Sequence, residues 1–385
     1  MSTQSLKPGW KMVKFGDIAQ NVAVRVDPAD AKTDVYVGLE HLDPSTLHLR
    51  QWGQPSDVTG QKLAFKKGDV IFGRRRAYQR KLAIAEFDGI CSAHAMVVRA
   101  KPKMILPEFL PFFLQSDMFM ERAIEISVGS LSPTINWKTL RVQEFALPPL
   151  DEQKRIAEIL WAADEAAEQF SNASEKLQQT RETYLRGLSS NGAAKKWKVT
   201  KLSKCFEIVS GQVDPKEEPY RSMPLVAPNH IEQNTGRLIC IETAKDQNAI
   251  SGKYLFQSGD VVYSKIRPNL RKAFIAEFDG LCSADMYALR PLPDRIMTRF
   301  LLSILLGEHF TSFALTRCVR TGIPKLNRQE LSEYELPLPT IEDQKQISSH
   351  LEAIDAEEQS LIRHRDEVLE LKRQISREYL EIAHF

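Results

Sequence analysis

Two short stretches of this chain carry side chains suited to gripping a polyanion. They read Gly73-Arg74-Arg75-Arg76-Ala77-Tyr78-Gln79-Arg80-Lys81 and Ser264-Lys265-Ile266-Arg267-Pro268-Asn269-Leu270-Arg271-Lys272. Arg and Lys neutralise phosphates, and Arg, Asn or Gln can pair bidentately with base edges in a major groove. Residues 62–81 hold eight Lys/Arg against one Asp, and residues 253–272 hold five against one. Both stretches follow apolar, strand-like residues, so each reads as a basic loop held by two strands and suited to duplex DNA. Arg76/Arg267, Arg80/Arg271 and Lys81/Lys272 are identical between the copies, and Arg74/Lys265 keeps the charge. Arg75/Ile266, Tyr78/Asn269 and Gln79/Leu270 differ. If the two copies read different sequences, the unchanged cations belong to phosphates and the changed positions to bases. The competing reading is a solvated charged loop, and charge at the same place twice weighs against it.

Other chemistry is sparse. The chain has no GxxxxGK[ST] phosphate loop, no GxGxxG, no amino-methyltransferase tetrad, no nuclease-like Asp…Glu-x-Lys cluster and no Asp-Glu-Ala-Asp box. Its absence from both copies points to a binding module rather than an enzyme, with no cofactor. The five cysteines form no CxxC pair, and the eight histidines show no metal-ligand spacing. Cys91 and Cys282 occupy equivalent positions and read as small core residues. Lesser candidates for nucleic-acid contact are Glu40-His41 against Asn229-His230, the segment Ser127, Gly129 and Ser130, and the segment Arg317, Arg320 and Thr321.

The elements that must position these loops are themselves duplicated. Residues 65–93 align with 256–284 at a constant offset of 191, and 16 of the 29 positions are identical. A period this long means two domain-sized halves, not a solenoid of short units. The match continues through Trp10/Trp197, Pro133/Pro324, Asn136/Asn327, Leu147-Pro148/Leu338-Pro339 and Gln153-Lys154/Gln344-Lys345. Val70-Ile71-Phe72 and Val261-Val262-Tyr263 read as buried strands. Leu82 to Phe87, Asp88-Gly89 and Ile90-Cys91 read as a hairpin, because Asp-Gly is a strong two-residue turn signal. Residues 108–120 and 299–310 read as amphipathic helices. Asn136 and Asn327 read as N-caps, the latter closing a capping box with Glu330.

Each half ends in a long charged segment with a coiled-coil seam. In the first, Ile156, Leu160, Ala163, Ala167, Phe170, Ser174, Leu177, Arg181, Tyr184 and Leu188 follow alternating steps of four and three. In the second, Ile347, Leu351, Ile354, Glu358, Leu361, Arg365, Val368, Lys372, Ile375, Tyr379 and Ile382 do the same. Such narrow seams must bury, and pairing with each other, antiparallel, is the simplest solution. Asp151-Glu152 and Glu342-Asp343 put negative charge on the first turns, where the helix dipole favours it. Gly187 and Asn191-Gly192 are expected to end the first helix. Tyr184 and Tyr379 lie 195 apart, which reads as a four-residue stutter. The expected fold class is α+β, with two similar mixed α/β domains separated by an antiparallel coiled coil and related by a pseudo-two-fold repeat. The expected boundaries are 1–148 and 191–338 for the domains, and 149–190 and 339–385 for the helices. No apolar run reaches the roughly 18–20 residues of a membrane span and no signal-peptide core opens the chain, so a cytoplasmic protein without membrane contact is expected.

The pattern resembles the specificity subunit of type I restriction–modification systems. The residues that carry the likeness are Gly68-Asp69-Val70-Ile71 and Gly259-Asp260-Val261-Val262, with Pro133 to Asn136 and Pro324 to Asn327. With them go the runs Leu147-Pro148-Pro149-Leu150-Asp151-Glu152-Gln153 to Ile156 and Leu338-Pro339-Thr340-Ile341-Glu342-Asp343-Gln344 to Ile347. The second run departs from the usual pattern at Thr340, where proline is usual, and at Asp343, where glutamate is usual. The resemblance covers nearly the whole chain. It implies two target-recognition domains, each reading one half of a bipartite, asymmetric DNA sequence, with the paired helices as spacer. It also implies docking of two methyltransferase (modification) subunits, which bind S-adenosylmethionine and methylate adenine, and restriction subunits in the complete assembly. The competing readings are a specificity component of another restriction class, a stand-alone bipartite DNA binder, and, from another class, a coiled-coil scaffold for proteins.

Overall fold

The computed structural model describes residues 6–194, 197–318 and 323–380, with the side chains of 189–194 left aside. The chain forms two compact units. One comprises Met1–Ser171 with Ile362–Phe385, and the other Asn172–Leu361.

In the first unit, an antiparallel sheet runs in the order Ala19–Asn21, Met96–Ala100, Val70–Phe72, Leu82–Ile84. A second sheet has the order Arg25–Val26, Lys62–Phe65, Gly89–Cys91, Tyr36–Val37, its last pair parallel. Side chains of a strand alternate between faces. Val70 and Phe72 therefore enter one core, with Phe15, Phe113, Phe119 and Phe145, while Ile71 enters the other, with Val37, Phe65 and Cys91. Burial on both faces explains why this strand is continuously apolar. The second unit repeats the arrangement. Its sheets run Phe206–Ile208, Met286–Pro291, Val261–Ser264, Ala273–Ile275 and Gln212–Val213, Lys253–Phe256, Gly280–Cys282, Leu225–Val226. Val261 and Tyr263 enter one core and Val262 the other.

The matched motifs hold turns. Gly68 and Gly259 adopt φ +89° and +94°, where a side chain is strained. The neighbouring Asp69 and Asp260 accept the backbone N–H of Lys66 and Gln257 at 2.8 and 2.9 Å. The same carboxylates take bidentate pairs from Arg99 and Arg290. Burial pushes the Cys91 and Cys282 thiols up to about 12, leaving them unreactive core groups.

Two local expectations are corrected. Asp88-Gly89 is no hairpin turn: Leu82–Ile84 and Gly89–Cys91 lie in different sheets. Asp88 instead accepts the Lys67 N–H at 2.8 Å, and a Cβ on Gly89 would sit 2.4 Å from the Phe65 ring. Each expected amphipathic helix is two helices, Leu110–Gln115 with Asp117–Glu125 and Thr298–Leu306 with Glu308–Arg317. They break at Ser116 and Gly307, whose ψ angles are 149° and 152°. Asn327 forms the capping box with Glu330, whereas Asn136 occupies the N-cap without a side-chain bond.

The long helices are Leu150–Ala194 and Ile341–Leu380. The first runs past Gly187, because one glycine in a helix costs only about 1 kcal/mol, and reaches Asn191-Gly192 still helical. Ile382 lies outside the described residues. Both helices start alike. Gln153 and Gln344 are wholly buried and bind three backbone groups each: Leu106 N–H with the Met104 and Pro148 carbonyls, and Met297 N–H with those of Arg295 and Pro339. Trp10 Nε1–H donates to Glu152 at 3.1 Å and Trp197 Nε1–H to Asp343 at 3.0 Å, so the shorter acid does the same work. Thr340 replaces Pro149 as a cap, its hydroxyl oxygen accepting the Asp343 N–H at 3.2 Å.

Within each unit, segments of the two helices run antiparallel. Lys372 pairs with Asp164, the Phe170 and His364 rings meet tilted at 5.6 Å, and Arg155 lies over Tyr379 in the first unit. Arg181 pairs with Asp355, and Tyr184 with His350, in the second. The pairs Asp164–Lys372 and Asp355–Arg181 are the same pair under the repeat, with both partners displaced by 191. The expected stutter is absent: seam positions keep that offset throughout, and the residue equivalent to Tyr184 is Ile375, not Tyr379.

Candidate nucleic-acid interface

The basic loops connect antiparallel neighbours in each unit, Val70–Phe72 with Leu82–Ile84 and Val261–Ser264 with Ala273–Ile275. Each contains a single 3-10 turn, Ala77–Gln79 or Pro268–Leu270. The flanking arginines are left-handed, with φ 56° and 53° at Arg76 and Arg80, and 49° and 44° at Arg267 and Arg271. Such a backbone costs a non-glycine residue roughly 1–2 kcal/mol. It persists where the surroundings over-determine it.

The surroundings do so here through the Pro…Asn motifs. The N–H of Arg76 donates to the Pro133 carbonyl at 2.7 Å, and that of Arg267 to Pro324 at 2.8 Å. The N–H groups of Ile135 and Leu326 return to the carbonyls of Arg74 and Lys265 at 2.9 and 2.8 Å. Ala77 and Pro268 are buried beneath each turn. Arg76, Tyr78 and Gln79 are exposed at the first tip, and Arg267 and Asn269 at the second.

The matched cations divide into classes the sequence did not separate. Arg80 pairs with Asp117, while Arg271 pairs with Glu182 of the first long helix at 2.6 Å. Lys81 donates to the Leu39 carbonyl and Lys272 to that of Pro228, both at 2.8 Å. These four cations fasten the loop to its own unit, which revises their assignment to phosphates. Arg76 and Arg267 have no side-chain partner among the described residues. Arg74 donates to the Ala93 carbonyl at 3.0 Å, and Lys265 lies 4.8 Å from the centroid of the Tyr287 ring. Arg75 Nε–H donates to Ser132 at 2.6 Å, beside His94. Burial, and then the charges of Arg75, Arg74 and Lys62, hold His94 below its usual value.

The lesser candidates resolve in part. His41 and His230 are turn residues, each accepting a backbone N–H three residues back, from Gly38 at 3.0 Å and Ala227 at 3.2 Å. The segment after Ser127 folds beside the first loop through Val128–Thr134 and Arg75–Thr134 bridges. Arg317 pairs with Glu333 at 2.8 Å, and Arg320 and Thr321 lie outside the described residues. Sequence reasoning passed over Arg25, Lys325 and Arg328 because strand pairing and an Ile266–Lys325 bridge, not chain proximity, bring them to the loop roots. No described helix is long and apolar enough to cross a membrane.

Comparison with known proteins places these features in one context. The family model described as type I restriction modification DNA specificity domain matches residues 8–179 and again 194–371. The EcoDI type I restriction enzyme specificity subunit of Escherichia coli is 26% identical over 392 residues, covering 92% of this chain and 83% of that one. The EcoKI specificity subunit of Escherichia coli strain K12 is 22% identical, covering 78% and 68%. A solved type I restriction–modification S subunit from M. genitalium aligns over 97% of this chain and 96% of its own, with TM-score 0.58 and 14% identity. A chain from a structural study of complex assembly in a type I R-M system aligns over 98% and 99%, with TM-score 0.58 and 20% identity.

Proposed function

The chain belongs to the type I restriction modification DNA specificity family, and from that premise we propose how its two units divide the work. The protein is a DNA sequence-recognition subunit of a type I restriction–modification enzyme. It is a non-catalytic component whose partners are DNA and the modification and restriction subunits. Each unit reads one half of a bipartite target through the tip of its basic loop. The long helices set the gap between half-sites and dock two modification subunits. The assembly works where the chromosome lies, in the cytoplasm.

The observation that carries this reading is the twin loop. One strained backbone is built twice, by the same internal contacts, and presents different side chains at each tip. Tyr78, Gln79 and Arg75 serve the first half-site, and Asn269 the second, with Arg76 and Arg267 on phosphates. Matched backbone and unmatched tips are what two readers of different sequences require.

The test is to map methylated adenines in a genome carrying the complete system. The double variant Tyr78→Asn, Gln79→Leu is expected to change one half-site and leave the other intact. An unchanged map, or uniform loss of methylation from an intact complex, would reject the assignment.

A further inference from the structure

We propose that each unit seats a phosphodiester of bound DNA at the root of its basic loop, on Arg25, Lys62 and Arg74 in the first and on Lys265, Lys325 and Arg328 in the second. The proposal rests on the DNA-recognition reading and adds a site apart from the loop tips.

In the first unit, pairing of Arg25 with Leu63 brings Arg25 and Lys62 beside Arg74. The three line an open cavity of about 250 Å³. Their hydrogen-bond partners are all neutral: the Gln61 side chain for Arg25, the carbonyls of Thr59 and Gly60 for Lys62, and that of Ala93 for Arg74. Arg74 Nε is buried without an acceptor, and a buried donor left unmet costs about 1–3 kcal/mol.

In the second unit, Lys265 is 9% exposed and lies on Tyr287, with Arg328 5.9 Å from the same ring. Arg328 donates to Ser210 at 3.1 Å, and the Ile266–Lys325 bridge sets Lys325 alongside. Burial, then Lys325 and Arg328, hold the Lys265 ammonium below its usual value, with Asp285 opposing only in part. Cations gathered without a paired carboxylate repel one another, and an anion relieves both the repulsion and the lost hydration.

The two clusters share only the matched position 74/265. Lys62 has its counterpart in Lys253, which likewise donates to a carbonyl two residues back, whereas Arg328 corresponds to Trp137 and Lys325 to Thr134. Positive charge returns to the same place by different residues, so it is the charge, not an inherited contact, that the place requires. A phosphodiester, monoanionic and purely accepting, matches that demand beside a DNA-reading loop.

Salt-dependent binding of duplex DNA by the full chain, assembled with its modification subunits, tests the proposal. Lys325→Ala with Arg328→Ala is expected to lower the slope of log K on log[salt] by about 1.8, and Arg25→Ala by about 0.9. The methylated sequence should stay the same. Lys103→Ala, at an exposed turn that lines neither seat, is expected to keep the wild-type slope. Wild-type slopes in the seat variants, or a changed target, would overturn the proposal while leaving DNA recognition standing. A wild-type complex that binds no duplex would overturn both.

Discussion

The two units solve the same problem at their helix seams in different ways. In the second, Arg181 and Asp355 pair at 3.0 Å, with the Asp355 side chain 48% exposed. In the first, the equivalent Asp164 is 4% exposed and lies among other charges. Lys372 pairs with one of its oxygens, and His48 Nε2 stands 3.1 Å from the other. His48 also meets Glu86 and Glu168, and Arg50 pairs with Glu168. Where the first unit has Glu168 with Arg50, the second has neutral Gln359 with Arg237. Duplication kept the pair but not its dielectric setting. An acid that keeps half its surface in water loses little when its cation is removed, whereas a buried acid left alone is costly.

The sharpest probe of what the units share is the buried glutamine at each helix start. Gln153→Leu and Gln344→Leu each strand three backbone groups, so each should destabilise its own unit by about 4 kcal/mol. Denaturant titration, with hydrogen exchange to identify the unit affected, measures this. A small loss in one unit alone would break the equivalence.

The seam pairs should then part company. Lys372→Met leaves Asp164 buried beside His48 and should cost about 3 kcal/mol. Arg181→Met, whose partner is half exposed, should cost under about 1 kcal/mol. Equal costs would mean that the difference in burial has no energetic content.

The smallest effect is one of pH. The hydrogen bond to Asp164 raises the His48 pKa above its ordinary 6.5, with burial opposing and Glu86 reinforcing. For Asp164, burial pushes upward, but His48 and Lys372 prevail and hold it below the usual carboxylate range. A raised histidine stabilises fully below its unfolded pKa, and the contribution fades as pH rises through the folded one. The first unit should therefore lose stability from mildly acidic toward alkaline pH, and His48→Gln should flatten that slope. Denaturation of both proteins across this range tests it, and matching slopes would exclude His48 as the cause.

Much of this molecule was legible in the sequence where the cause was local or repeated. Val70-Ile71-Phe72 is apolar because both faces are buried, and the four-and-three seam is visible because period alone defines it. The Asn327–Glu330 box needs only four residues. The failures share a longer reach. Asp88-Gly89 has turn composition, but its partners are Lys67 and Phe65, not an opposing strand. Arg80 and Arg271 look like free cations until Asp117 and Glu182 arrive from elsewhere in the chain. Identity between the copies therefore marked architecture more often than ligand contact, since the contacts that build the loop are the ones both halves must keep.

The division of the chain bears on how it is made. Asn172–Leu361 is one uninterrupted stretch, whereas the first unit is assembled from two separated ones. The first unit cannot be completed early, because its core includes Leu380, with Ile375 and Tyr379 packed against it. At about 5–20 residues per second, synthesis of the intervening chain takes on the order of tens of seconds. Through that interval the nascent protein carries an unfinished apolar surface on its first unit.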